Sequence, residues 1–121
     1  MKIKVLGVGS PYGDDNVGWL TAKKYQDKPG YEVVILDRPQ LNLIHELAGV
    51  EKAIIIDAVK SGAEPGTIHH LTMADMPHFK GFCSSHNVGL ADALQLAEVL
   101  DALPAQLEII GIEIDNWIKS R

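Results

Sequence analysis

Cys83 is the only cysteine in the chain. No internal disulfide can form, and a cysteine-rich zinc site is excluded. Basic residues are also scarce: 11 Lys and Arg stand against 16 Asp and Glu, a formal net charge of −5. With no basic stripe to follow a phosphate backbone, nucleic-acid binding is not expected. Aromatics make up only 6% of the residues, so the core must be mainly aliphatic. No apolar run approaches the ~18 residues that a membrane span needs. Met1-Lys2-Ile3-Lys4 opens a short apolar stretch that ends in Gly7-Val8-Gly9-Ser10. No longer hydrophobic region or small-residue cleavage site follows, so this stretch reads as a strand rather than a signal peptide. The rest is ordinary globular composition, 46% hydrophobic and 22% charged over 121 residues. That excludes a disordered tail or a fibre and suits one cytoplasmic domain over 1–121.

Strand-like and helix-like segments alternate. Ile3–Val8 is a β-branched run bounded by glycines and reads as a first strand. The stretch from Asp14 to about Gln26 reads as a helix with Val17, Leu20, Ala22 and Tyr25 on its inner face. Tyr31–Asp37 is a second strand, and Leu41–Ala48 a short helix with Leu43, Ile44 and Leu47 inward. Ala53–Ala58 carries Ile54-Ile55-Ile56, the continuous apolar run of a strand buried on both faces. Gly66–Thr72 follows after a loop too short for a helical crossover, so it is expected to run antiparallel to the strand before it. Residues 73–84 read as loop. Ser85 to about Leu100 is the clearest helix, with Leu90, Leu94, Ala97 and Leu100 on one stripe, and Leu107–Ile112 is the last strand. This alternation implies an α/β fold with helices on both faces of a sheet. Such folds place function at the carboxyl ends of the strands, where strand order reverses.

Three such positions carry chemistry. Gly7-Val8-Gly9-Ser10 leads into Asp14-Asp15 at the start of the first helix. A nucleotide phosphate would sit at that positive helix end, but two aspartates there would repel it, so a nucleotide site is rejected. N-capping explains one of the pair and not both. Asp57 directly follows the apolar third strand; it is either a backbone-bonded strand-end carboxylate or a site residue. His86, within Ser84-Ser85-His86-Asn87, opens the strongest helix. There the helix dipole disfavours imidazolium and leaves a neutral ring able to bind metal. A surface histidine is the simpler reading of His86 taken alone. If the first and third strands are neighbours, Asp15 and Asp57 meet at the crevice and His86 can lie over it. Two carboxylates and an imidazole suit nickel, zinc or iron(II) better than magnesium or calcium.

These residues resemble the hydrogenase maturation endopeptidases, which process the large subunit of nickel–iron hydrogenases. The likeness runs over about residues 1–113. It rests on the Gly7-Val8-Gly9-Ser10 loop with Asp14-Asp15 and Gly18, on Asp57-Ala58, and on His86-Asn87-Val88-Gly89-Leu90. The resemblance implies a three-layer α/β/α sandwich with a mostly parallel, twisted five-stranded sheet in order 2-1-3-5-4, strand 4 antiparallel. It implies that Asp15, Asp57 and His86 are both the metal contacts and the catalytic set. They would recognise nickel presented by the hydrogenase large-subunit precursor, from which a C-terminal peptide is then removed. No organic cofactor is implied. An alternative on the same fold is a non-proteolytic metal-recognition or precursor-binding module.

Three features depart from the family pattern. Ser10 stands where Asn is usual. Arg38-Pro39 follows Asp37 where glycines are usual. The chain ends at Asn116–Arg121, where family members continue into one more helix. One sheet face is therefore expected to be incompletely covered, as an exposed apolar patch or as a homo-oligomer interface. Cys83, His45 and His78 are not assigned to the site. His69 and His70 are adjacent in a strand and must point to opposite faces. Asp37 ends the second strand and is a candidate supporting residue, and Trp19 and Trp117 are expected to pack.

Overall fold

The computed structural model describes residues 3–9, 17–36, 41–76, 78–79 and 90–114. Five strands alternate with helices: β1 (Ile3–Val8), α1 (Val17–Lys23), β2 (Tyr31–Leu36), α2 (Leu41–Leu47), β3 (Lys52–Val59), β4 (Ile68–Leu71), α3 (Leu90–Val99) and β5 (Gln106–Glu113). A short 3₁₀ turn, Met73–Asp75, lies in the stretch read as loop. The sheet order is β2-β1-β3-β5-β4. All neighbouring pairs are parallel except β4 with β5. The order and the antiparallel fourth strand are as the resemblance implied.

Side-chain alternation along the strands separates two apolar layers. Leu6, Val8, Ala53, Ile55, Val59 and Ile109 face one way and pack with Leu43 and Leu47 of α2 and with Leu90, Ala93 and Leu94 of α3. Val5, Ile54 and Ile56 face the other way and pack with Ala22 of α1, edged by the half-buried Tyr25, Tyr31, Ile110 and Ile112. The run Ile54-Ile55-Ile56 thus feeds both layers from the centre of the sheet. On the first face Lys4 reaches the end of α2, where its Nζ lies 2.7 Å from Glu46 Oε1 and donates to the Glu46 carbonyl at 3.0 Å. A cation there complements the negative end of the helix dipole.

Two apolar positions differ from expectation. Leu20 is 53% exposed, and the inner face of α1 is Gly18 and Ala22 with Tyr25 beyond. These are spaced i, i+4, i+7, a true helical stripe. A glycine carries no apolar signal, so a leucine one helical face away drew the assignment instead. Leu100 is 57% exposed and lies beyond the end of α3, whose buried face is Leu90, Ala93, Leu94 and Ala97.

The packing of α1 on the sheet is set by small residues. A Cβ built on Gly18 would lie 2.5 Å from the Val8 carbonyl oxygen, 2.6 Å from that of Ile56 and 3.2 Å from the Asp57 Cα. A Cβ on Gly7 would lie 2.7 Å from the Gly18 carbonyl oxygen and 2.8 Å from the Ala22 Cβ. Helix and strands therefore touch backbone to backbone at the carboxyl ends of β1 and β3. In an open helix, Gly→Ala stabilises by about 1 kcal/mol. At Gly18 the sign reverses, because the opposing atoms are backbone and cannot rotate away. Gly18→Ala is expected to destabilise by about 2–3 kcal/mol, in the range of overpacked cores, as a lower midpoint in urea denaturation.

Candidate functional site

β3 delivers Asp57 to the carboxyl end of the sheet, next to the point where α1 crosses. The strand needs little else to form: seven of its eight residues are buried, and the apolar ones fill both layers. Asp57 is itself fully buried. Its parity with Ala53, Ile55 and Val59 places it on the α2/α3 face. Its Oδ1 accepts the backbone N–H of Ala58 at 2.8 Å. Removing a carboxylate from water is costly unless hydrogen bonds or charges offset it, and this backbone bond supplies part of the offset.

Of the three residues assigned to the site from sequence, only Asp57 falls among those described. Asp15 and His86 lie outside the described residues, as do Asp14, Asp37, Cys83 and Trp117. Trp19 does pack: its indole N–H donates to the Leu36 carbonyl at 2.8 Å and ties α1 to the end of β2. Among the described residues no three His, Cys, Asp or Glu side chains are grouped to hold a metal ion.

A second carboxylate at the carboxyl edge escaped the sequence reading. Glu113, the last residue of β5, is 2% exposed. The Ser61 hydroxyl donates to its Oε1 at 2.6 Å. The Ser61 and Gly62 backbone N–H groups donate to Oε2 at 2.8 and 3.2 Å. His69 Nε2 lies 3.0 Å from Oε1, so that nitrogen carries the hydrogen of the bond. The His69 ring in turn meets Phe79 edge to face, with centroids 5.2 Å apart. Burial pushes the Glu113 carboxyl up, but the bonds from Ser61, His69 and Gly62 together outweigh it and hold the group below the usual glutamate range. The backbone joins in: Glu113 N–H donates to the Thr67 carbonyl, and Gly66 N–H to the Glu113 carbonyl, each at 2.8 Å.

Glu113 therefore clasps the loop after β3 to β4. In register, Asp57 pairs with Gly111, which pairs with His69 on its other side. The row that carries Asp57 is thus followed, two residues on, by the row of Val59 and Glu113. The signal was present in the sequence, since Glu113 follows an apolar strand run just as Asp57 does. The last strand was expected to stop at Ile112, and nothing local shows that Ser61 lies opposite. The two adjacent histidines do diverge: His69 turns to Glu113, and His70 lies on the other face, 3.5 Å from Glu108.

Comparison with known proteins assigns the class. The model of the HycI hydrogenase maturation protease family matches residues 20–118. The chain belongs to this hydrogenase maturation protease family. It is 32% identical over 120 aligned positions to the hydrogenase 2 maturation protease of Escherichia coli K12, covering 93% of this chain and 73% of that protein. It is 27% identical to the hydrogenase expression/formation protein HupD of Bradyrhizobium diazoefficiens, covering 96% of this chain and 66% of that one. Against several further expression/formation relatives the chain spans only 56–62% of their length. Among solved structures, the [NiFe] hydrogenase maturation protease HybD from Thermococcus kodakarensis superposes with a TM-score of 0.74 at 27% identity, over 95% of this chain and 81% of that one. The solution structure of an endopeptidase from Escherichia coli gives 0.79 at 26% identity, over 95% and 75%.

The Glu113 clasp has a measurable signature. A carboxyl held below its unfolded value stabilises the fold fully above the unfolded pKa, about 4.3 for glutamate. That contribution is lost as pH falls through the lower folded value. Glu113→Gln, which opposes an amide N–H₂ to backbone donors, is expected to cost about 2–3 kcal/mol at neutral pH. The gap in Tm between wild type and variant should narrow as pH drops below about 4, as followed by thermal melts across an acid series.

Proposed function

We propose that this protein is a peptide hydrolase that removes a C-terminal peptide from a nickel-loaded hydrogenase large-subunit precursor. Asp15, Asp57 and His86 form the site that contacts the substrate's nickel. The observation that carries this reading is the seat of Gly18 against the ends of β1 and β3, where a Cβ would come within 3.2 Å of the Asp57 Cα. Asp15 is three positions before Gly18, a covalent reach of at most about 11 Å. His86 is four positions before Leu90 at the start of α3, a reach of at most about 14 Å. The Asp57 side chain lies on the face that α3 covers. These reaches are compatible with Asp15 and His86 meeting at Asp57.

The donor set fits a borderline cation such as nickel: two carboxylate oxygens and one imidazole nitrogen, with positions left for the precursor's own ligands. Nickel arrives with the substrate. Asp57 supplies a carboxylate already fixed by the Ala58 N–H, so little side-chain freedom is lost on binding. The names of the relatives support the substrate class: one is a hydrogenase 2 maturation protease, another a [NiFe] hydrogenase maturation protease.

Incubation with a nickel-loaded hydrogenase precursor should release a C-terminal peptide, seen as a mass loss in the precursor. His86→Ala and Asp57→Asn should each reduce the rate by at least about 100-fold, as for the loss of groups that act on the reacting centre. His86→Ala should do so with little change in Tm. A folded wild-type sample that binds the precursor without shortening it would favour the recognition module instead.

A further inference from the structure

Leu96 and Val99 on the outer face of α3, with Leu100 directly after it, are exposed by 43%, 76% and 57%. Their spacing of i, i+3 and i+4 sets them side by side at the end of the helix. They are three of the five large apolar side chains most exposed among the described residues. Around them stand exposed Asp92, Glu98 and Asp101, and no ion pair among the described residues engages any of the three. The sequence contains no Lys or Arg from Gly81 to Ile118. The patch is therefore apolar, and the exposed charged residues beside it on the same helix are all acidic.

Asp101 adds a second observation. It closes α3 in the left-handed region, with φ 57°. Its N–H donates to the Glu98 carbonyl at 3.1 Å, and the Ala102 N–H to the Ala97 carbonyl at 2.8 Å. This is the Schellman arrangement, in which the left-handed residue is ordinarily glycine. An aspartate there accepts backbone strain and sets a negative charge at the negative end of the helix dipole. Both local disadvantages fall on the rim of the apolar patch, and a cation bound there offsets the second.

We propose that this face docks a basic amphipathic helix of another protein, with apolar anchors on Leu96, Val99 and Leu100 and Lys or Arg side chains on Glu98 and Asp101. Recognition of one helix by another through i, i+3, i+4 anchors is a common mode. A second copy of this chain fits poorly. A symmetric pairing sets the same patch against itself, which would bring Glu98 and Asp101 near their own copies on molecules that each carry −5. α3 ends just before β5 begins, and the Gln106 N–H bonds the Glu51 carbonyl at the amino end of the sheet. The patch thus lies at the opposite end from Asp57, so a docked partner leaves the carboxyl edge open. The inference stands independently of the cleavage reading.

A fluorescein-labelled helical peptide, with leucines along one face and flanking lysines, is the probe. Its anisotropy should report saturable 1:1 binding that weakens with salt, while the same peptide with glutamates for lysines should not bind. Val99→Asp should weaken binding at least about tenfold, as for a central interface anchor. The Glu98→Lys/Asp101→Lys double variant should transfer preference to the glutamate peptide. Asp101→Gly should raise Tm yet weaken binding, a split that a merely structural residue would not produce. Equal binding of both peptides would overturn the proposal, as would unchanged binding by Val99→Asp. So would a wild-type dimer in sedimentation that Val99→Asp abolishes, since a second copy would then be the occupant.

Discussion

The close seat of α1 on the carboxyl ends of β1 and β3 is the constraint on which the rest of the structure depends. It is a contact between backbones, and it exists because Gly7 and Gly18 have no side chains to separate them. Glycine inside a helix or a strand is locally unfavourable. Here that local cost is outweighed, because any side chain would push the helix off two strand carbonyls. The same contact sets the first turn of α1 against the backbone of β1 and β3. A helix standing a few ångströms further out would still cover Val5, Ile54 and Ile56, but it would no longer bring its start against Asp57.

The carboxyl edge is organised around two buried carboxylates with different solutions to the same problem. Asp57 folds back on the N–H of the next residue. Glu113 collects donors from a loop and a strand that are distant in sequence, and it stays ionised because those donors outweigh its desolvation. The clasp restrains the segment leaving β3 only four residues after Asp57. The edge that bears the candidate site is thereby stiffened by polar contacts, whereas the middle of the sheet is held by aliphatic packing.

Much of the architecture was legible from local pattern. The apolar run at Ile54–Ile56, the β-branched first strand and the short loop before β4 each carry a period or a length that only one kind of element satisfies. The places that misled were those where the signal lay in an absence or in a distant partner. Gly18 forms the inner face of α1 yet adds nothing to an apolar stripe, so Leu20 was assigned inward and is exposed. Leu100 continued the stripe of α3 by spacing, but the chain turns at Asp101 and leaves it outside.

Residue types and order alone determined the α/β class, the strand positions, the two faces of the paired histidines and the place of Asp57 toward the carboxyl end of β3. These follow from periodicity and chain connectivity, which are local. Only the tertiary structure decided that Gly18 rests on the Ile56 carbonyl and that Ser61 and His69 converge on Glu113. It alone decided that Leu96, Val99 and Leu100 stand exposed beside acids that no ion pair engages among the described residues. Each of those depends on which segments meet across the sheet. Strand order and register set those meetings, and no short stretch of sequence encodes them.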